Sequence, residues 1–293
     1  MGWIALCCLL PRLLPAQDTI PAGRDSTPAV TIHAEPAPAL AEGSLGWIRI
    51  TTRSPYLVTG GEAAGEPLHI EALNDSGFRA MVGVPVEAGD SFKVSLFLQH
   101  ADRTDTVMAS LPVRQSNYSS EVLAVAPAFV KPDSIAAARI QSEIAKSREV
   151  SLRSQNRTRL WAGRFRLPRS SRITSRFGTA RVFNGEVQSR HLGTDFAGAV
   201  GAPVLAAGGG VVALVANFYL AGGAIYLDHG AGLVTAYFHL SRAYVRQGQT
   251  IRAGQLIGAV GRSGRVTGPH LHWVARYGAI SVDPMSLLQL KNP

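Results

Sequence analysis

The stretch Ser263-Gly264-Arg265-Val266-Thr267-Gly268-Pro269-His270-Leu271-His272-Trp273 decides how this 293-residue chain is read. Turn-forming glycines and a proline run into an alternating apolar segment, the mark of a loop entering a β-strand. His270 and His272 are two apart, so on a strand both side chains leave one face, roughly 6 to 7 Å apart along the chain. Five of the eight histidines lie between residues 191 and 272. Upstream stand Tyr237-Phe238-His239-Leu240-Ser241 and His191-Leu192-Gly193-Thr194-Asp195-Phe196. Gly193 lets the backbone bend so that His191 and Asp195 converge. A mononuclear zinc site needs three protein ligands drawn from neutral imidazole, carboxylate and thiolate, with a fourth position left for water. One histidine of the His270/His272 pair, together with His191 and Asp195, meets that need and leaves two histidines over. His229, in Asp228-His229-Gly230, reads as a loop residue before a turn glycine, and His33, His69 and His100 show no partner pattern.

Taken in order, the three motifs resemble the lysostaphin-type zinc metalloendopeptidases that cut the peptide part of bacterial peptidoglycan. The resemblance runs from about Trp161 to Leu288 and includes Ser175-Arg176-Phe177-Gly178. It implies a β-rich peptidase domain with an open groove and one zinc ion per chain held by His191, Asp195 and His272. His239 and His270 would be the catalytic pair, and peptidoglycan peptides the substrate. Ser263 stands where threonine is usual, Val266 where serine or threonine is common, and Trp273-Val274 where Phe-Glu is frequent. None of these departures removes a ligand or a catalytic histidine; they bear on substrate preference. A non-catalytic peptidoglycan-binding regulator or amidase activator on the same fold is the alternative, but degenerate members of that kind lack ligands that are all present here.

The remainder of the chain is read as mainly β with one helix. Residues 45–130 alternate short β-prone runs with turn signals at the spacing of an Ig-like β-sandwich. Residues 131–158 form a helical linker, capped by Asp133 or Ser134, with Ile135, Ile140 and Ile144 at helical intervals. Residues 159–293 form the β-rich peptidase domain. Residues 17–44 are rich in Pro, Ala, Thr and Glu without periodicity and read as a flexible linker. Residues 1–16 read as a signal peptide cleaved near Ala16, or as a lipoprotein leader cut at Cys7 or Cys8, so the protein is expected to be exported to the envelope, periplasm or medium. The apolar run Trp3 to Leu10 is too short to span a bilayer. Cys7 and Cys8 are the only cysteines, so after leader removal no thiol ligand or nucleophile remains.

The net charge of +9 conceals an asymmetry. Residues 1–150 hold 12 basic and 16 acidic side chains, whereas residues 151–293 hold 17 and 4. Such a basic half favours an anionic setting, peptide carboxylates or anionic envelope polymers, by long-range attraction. Nine arginines and no acid fall between Arg153 and Arg181. Trp161, Phe165, Leu167, Ile173 and Phe177 interrupt them, so this segment reads as the folded entrance to the domain rather than as a nucleic-acid arm. The rhythm of Val245 to Gln255 is similar to that of biotinyl or lipoyl carriers, but no lysine lies between Lys146 and Lys291 to be acylated. Gly258-x-x-Gly261-x-x-Gly264 lacks the Lys-Ser/Thr of a phosphate loop.

Overall fold

The computed structural model describes residues 30–53, 56–100, 103–185 and 187–290. The expected leader, residues 1–16, and the start of the expected linker lie outside the described residues. The N-terminal unit is a sandwich of two sheets. One has four strands in the order Val30–Glu35, Leu45–Thr52, Gly77–Gly83, Ile70–Ala72; the other has five, in the order Leu40–Ala41, Arg103–Arg114, Ser91–His100, Leu57–Ala63, Glu66–Pro67. In Ser91–His100 the residues Phe92, Val94, Leu96 and Leu98 are buried and alternate with outward-facing neighbours, as a strand with one face on a core requires. They pack with Ile48, Ile50, Ala80 and Val82 of the facing sheet in one cluster.

Two boundaries differ from the sequence reading. The stretch expected to be a flexible linker over 17–44 contains a paired strand from Val30, aligned antiparallel from Val30↔Thr52 to Glu35↔Trp47. The alternation Val30, Ile32, Ala34 was hidden by the surrounding Pro and Ala, and Pro36 ends it. At the other end, the last strand paired within the sandwich is Arg103–Arg114, not an element near residue 130. Ser120–Leu123 crosses over and pairs in parallel with Ala180–Phe183, joining the wall of the C-terminal domain.

The helix spans Ser134–Gln155, and the Asp133 carboxylate accepts the Ala136 N–H at 2.7 Å, the N-cap arrangement that satisfies an orphan amide. Its packed face is not the isoleucine face expected: Ile135 is 81% exposed and Ile144 54%. Ala136, Glu143, Val150, Ser151 and Ser154 are buried instead. The contacts are polar at both ends of the packed face. The Glu143 carboxylate accepts the Tyr219 N–H at 2.7 Å, Ser147 Oγ lies 2.8 Å from Tyr226 OH, and Ser154 Oγ donates to Leu233 O at 3.3 Å.

The C-terminal domain is built on a ten-stranded sheet. Its main path runs Ile173–Ser175, Thr194–Ala197, His270–Tyr277, Leu233–Ala243, Gly222–Gly230, Gly210–Phe218, Thr250–Ile251, with Pro203–Leu205, Leu256–Val260 and Ile280–Val282 attached. Leu45, Trp47 and Met81 of the N-terminal unit share its core with Tyr237, Trp273 and Tyr277. Gly77–Gly83 is therefore buried at every position, because one face enters each core. Among the described residues no helix is long and apolar enough to cross a membrane.

Candidate metal centre

Three adjacent strands bring the motif residues together. Thr194–Ala197 lies antiparallel to His270–Tyr277 with Asp195 opposite His272, and His270–Tyr277 lies antiparallel to Leu233–Ala243 with Phe238 opposite His272. His191 sits just before the first strand, and Gly193 explains how it gets there. A Cβ at Gly193 would stand 2.6 Å from both His272 Cε1 and Trp273 O. Glycine is needed for close approach rather than for a bend, since its φ is not left-handed.

His191 Nε2, Asp195 Oδ1 and His272 Nδ1 face one another at 3.1 Å (His191 to Asp195), 2.9 Å (His191 to His272) and 2.7 Å (His272 to Asp195). Among the described residues they form a His-Asp-His group able to hold a metal ion. All three are largely buried. His191 Nδ1 donates to Arg176 O at 2.9 Å, so the neutral ring presents a lone pair at Nε2. That lone pair meets the Asp195 carboxylate oxygen, two acceptors turned toward each other, and a cation between them would satisfy both. Burial alone would raise the Asp195 carboxyl, but His272 and His191 together hold it below its ordinary value. Burial pushes His272 down to about 4, against the pull of Asp195.

Beside this group lie His239 and His270, their ring centres 4.8 Å apart in an edge-to-face arrangement. His239 Nδ1 donates to Ser263 O at 2.9 Å and His270 Nδ1 to Gly268 O at 2.8 Å. The neutral form of each ring therefore keeps a lone pair at Nε2. His270 Nε2 stands 3.7 Å from Asp195 Oδ1. Burial, with His272 and His270 nearby, pushes His239 down to about 3. His239 also has φ +62°, a left-handed conformation that costs a non-glycine residue on the order of 1–3 kcal/mol. The pairing with Gly222–Gly230 shifts register across it, and its N–H donates to Ala221 O at 2.8 Å.

The structure thus brings together all five residues singled out in the sequence: His191, Asp195, His239, His270 and His272. It also adds residues that sequence reasoning missed. Asp195 Oδ2 accepts from Arg181 Nη2 at 2.8 Å, and Arg181 Nε is paired with Glu121 Oε1 at 2.5 Å. Ser175 Oγ donates to Glu121 Oε1 at 3.0 Å and accepts from Arg181 Nη2 at 3.0 Å. Arg181 belongs to the arginine-rich segment, whose lack of nearby acids hid that its partners come from elsewhere in the chain. These groups line one open groove of about 330 Å³, with Phe183, Leu220, Phe238 and Arg265.

One expectation about the histidines is corrected. His229 is a fully buried strand residue, not a loop residue: Nδ1 donates to Gly209 O at 2.6 Å and Nε2 lies 2.8 Å from Thr235 Oγ1. The runs Gly208-Gly209-Gly210 and Gly222-Gly223 do not line the groove. They are packed tightly; Gly208 lies against Phe165 and Gly223 against Leu240. Of the remaining histidines, His69 Nε2 lies 2.7 Å from Gln155 Oε1 and His100 lies against Tyr56. Neither they nor His33 line the groove.

Comparison with known proteins agrees with this geometry. Residues 189–284 match the model of peptidase family M23. Peptidoglycan DD-endopeptidase ShyA of Vibrio cholerae is 45% identical over 105 residues, 35% of this chain and 24% of that protein. Peptidoglycan DD-endopeptidase ShyB of the same organism is 32% identical over 200 residues, 67% of this chain and 45% of that protein. The chain therefore spans less than half the length of these relatives. A crystal structure from Pseudomonas aeruginosa assigned to peptidase M23 superimposes with a TM-score of 0.60, covering 86% of this chain and 96% of that one at 22% identity. That likeness reaches across both units and supports the fold. Residues 189–284, carrying the His-Asp-His group on three adjoining strands, form a domain of peptidase family M23, the lysostaphin type.

Proposed function

We propose that the chain is a zinc-dependent endopeptidase that hydrolyses peptide bonds in the stem or cross-link peptides of peptidoglycan. One observation carries the reading: the donor atoms of His191, Asp195 and His272 converge within 2.7 to 3.1 Å at the side of an open groove, with His239 and His270 beside them. The relatives that bear the name of peptidoglycan DD-endopeptidases supply the substrate class. Two imidazoles and one carboxylate suit zinc, and one such group among the described residues corresponds to one ion per chain. When bound, zinc would polarise the scissile carbonyl and make a water acidic near neutral pH.

The chain's own residues then move the protons. His270, with its Nε2 beside Asp195, accepts the proton of the attacking water and passes it to the leaving amine. His239 is held neutral by burial and has its Nδ1–H committed to Ser263 O. Its Nε2 is therefore a hydrogen-bond acceptor that orients the water, not a donor to the oxyanion. Arg181 fixes the Asp195 carboxylate through Oδ2 and leaves Oδ1 for the metal.

Such an enzyme acts where peptidoglycan is, in the cell envelope or periplasm. Mass spectrometry of fragments released from purified peptidoglycan, with and without chelator, tests the reading. Peptide-bond products that disappear with chelator and return with zinc are expected. No fragments from the zinc-loaded protein, with peptidoglycan binding retained, would leave the non-catalytic regulator in its place.

A further inference from the structure

The charged side chains of the groove are unequally satisfied. Two carboxylates line it, Glu121 and Asp195, and Arg181 takes both, through Nε at 2.5 Å and Nη2 at 2.8 Å. Two arginines line it, Arg181 and Arg265. Arg265 forms no ion pair with any described residue. Its guanidinium lies over the Phe183 ring, 4.2 Å from the centre, which fixes its plane without neutralising its charge. Its backbone N–H is tied to Leu220 O at 2.8 Å, and the same loop supplies Ser263 O to His239. Among the described residues, the remaining acids of the domain are committed elsewhere. Asp228 is buried against Arg157, and Asp283 caps the final turn through Met285 N. Burial, with Arg181 close by, holds Arg265 below its ordinary range. An unpaired cation so placed gains from an anion, and a planar guanidinium suits a carboxylate.

We propose that Arg265 is the residue that recognises a free carboxylate of the substrate peptide, setting a preference for anionic over amidated peptides in the groove. The inference rests on the endopeptidase reading for the identity of that peptide. It does not rest on it for the binding chemistry.

The test uses the full chain and two probes: cross-linked muropeptides with free carboxylates, and the same material with its carboxylates amidated. Cleavage is followed by chromatography. Binding of the uncross-linked stem peptide, free or amidated, is followed by calorimetry. Losing one charge-assisted contact predicts that Arg265→Gln raises KM for the free-carboxylate substrate roughly 10- to 100-fold with kcat little changed. Amidating the substrate should cost the wild type a similar factor and cost Arg265→Gln nothing further. Arg265→Lys, which keeps the charge but loses the planar fork, should fall between. Circular dichroism identifies any variant that fails to fold, and the amidated probe then carries the test on the wild type alone. If the wild type cleaves and binds both probes equally well, or folded Arg265→Gln matches the wild type, the inference is overturned and the endopeptidase reading stands. If the wild type binds the free peptide through Arg265 yet cleaves nothing, the endopeptidase reading falls and the inference stands. Neither cleavage nor binding by the wild type overturns both.

Discussion

The C-terminal sheet buries two histidine environments, and they are built on opposite plans. His229 is closed: a backbone carbonyl and a threonine hydroxyl occupy its two nitrogens at 2.6 and 2.8 Å, and Phe165 lies edge-on against its ring. His191 and His272 are open. His191 Nε2 is turned toward a carboxylate oxygen and another imidazole. Both environments cost desolvation; the first offsets it with a carbonyl and a hydroxyl on its two nitrogens, whereas the second gathers two imidazoles and a carboxylate at one point. The difference separates a buried histidine that holds the fold from one in a group able to hold a metal ion, and burial alone would not have told them apart.

The largest effect should come from breaking the open cluster. Asp195→Ala removes its only carboxylate and should abolish both metal retention and peptidoglycan cleavage, read by metal analysis after dialysis and by fragment release. Next, His239→Ala and His270→Ala should keep zinc and lower kcat by about 10²- to 10⁴-fold, the usual worth of a positioned base. A variant of either that turns over muropeptides at the wild-type rate would remove that residue from the mechanism. Third, Arg181→Gln should weaken zinc binding by roughly 10- to 100-fold in chelator competition, since Asp195 Oδ2 loses its partner; an unchanged affinity would leave Arg181 as a structural link only.

The smallest effect sharpens the other side of the comparison. Burial holds His229 at about 4, below its ordinary 6.5. Between those values the unfolded chain binds more protons than the folded one, so stability falls as pH drops through this window and is fully present above pH 6.5. The whole shift corresponds to about 3 kcal/mol. His229→Phe should be less stable at pH 7, by about 1–3 kcal/mol for the stranded carbonyl and hydroxyl. It should also show a shallower loss between pH 6.5 and 4 in denaturant titrations, with zinc content unchanged. An identical slope in both proteins would mean that His229 does not drive the acid response.

How much of this was legible in the sequence follows from how local each interaction is. The same-face pair His270/His272 and the near neighbours His191 and Asp195 could be read because strand period and short spacing fix them. The choice of His272 rather than His270 as the candidate ligand came from resemblance, and its register opposite Asp195 is visible only in the folded sheet. Glu121 could not be assigned to the site, because it reaches Arg181 through a parallel pairing of strands some sixty residues apart. The strand Val30–Glu35 was masked by Pro and Ala. The helix was legible from its cap and period, but its packed face was not, since Glu143, Ser147 and Ser154 outbid the isoleucines through hydrogen bonds to the sheet. His229 misled because Asp-His-Gly resembles a turn, while its carbonyl partner, Gly209, lies twenty residues away.

The most direct test of the contrast between open and closed histidines is the zinc content of dialysed wild type, His272→Ala and His229→Phe measured side by side. The proposed zinc endopeptidase predicts one zinc per chain in the wild type and in His229→Phe, and none in His272→Ala. Zinc retained by His272→Ala, or absent from the folded wild type after zinc loading, would contradict it.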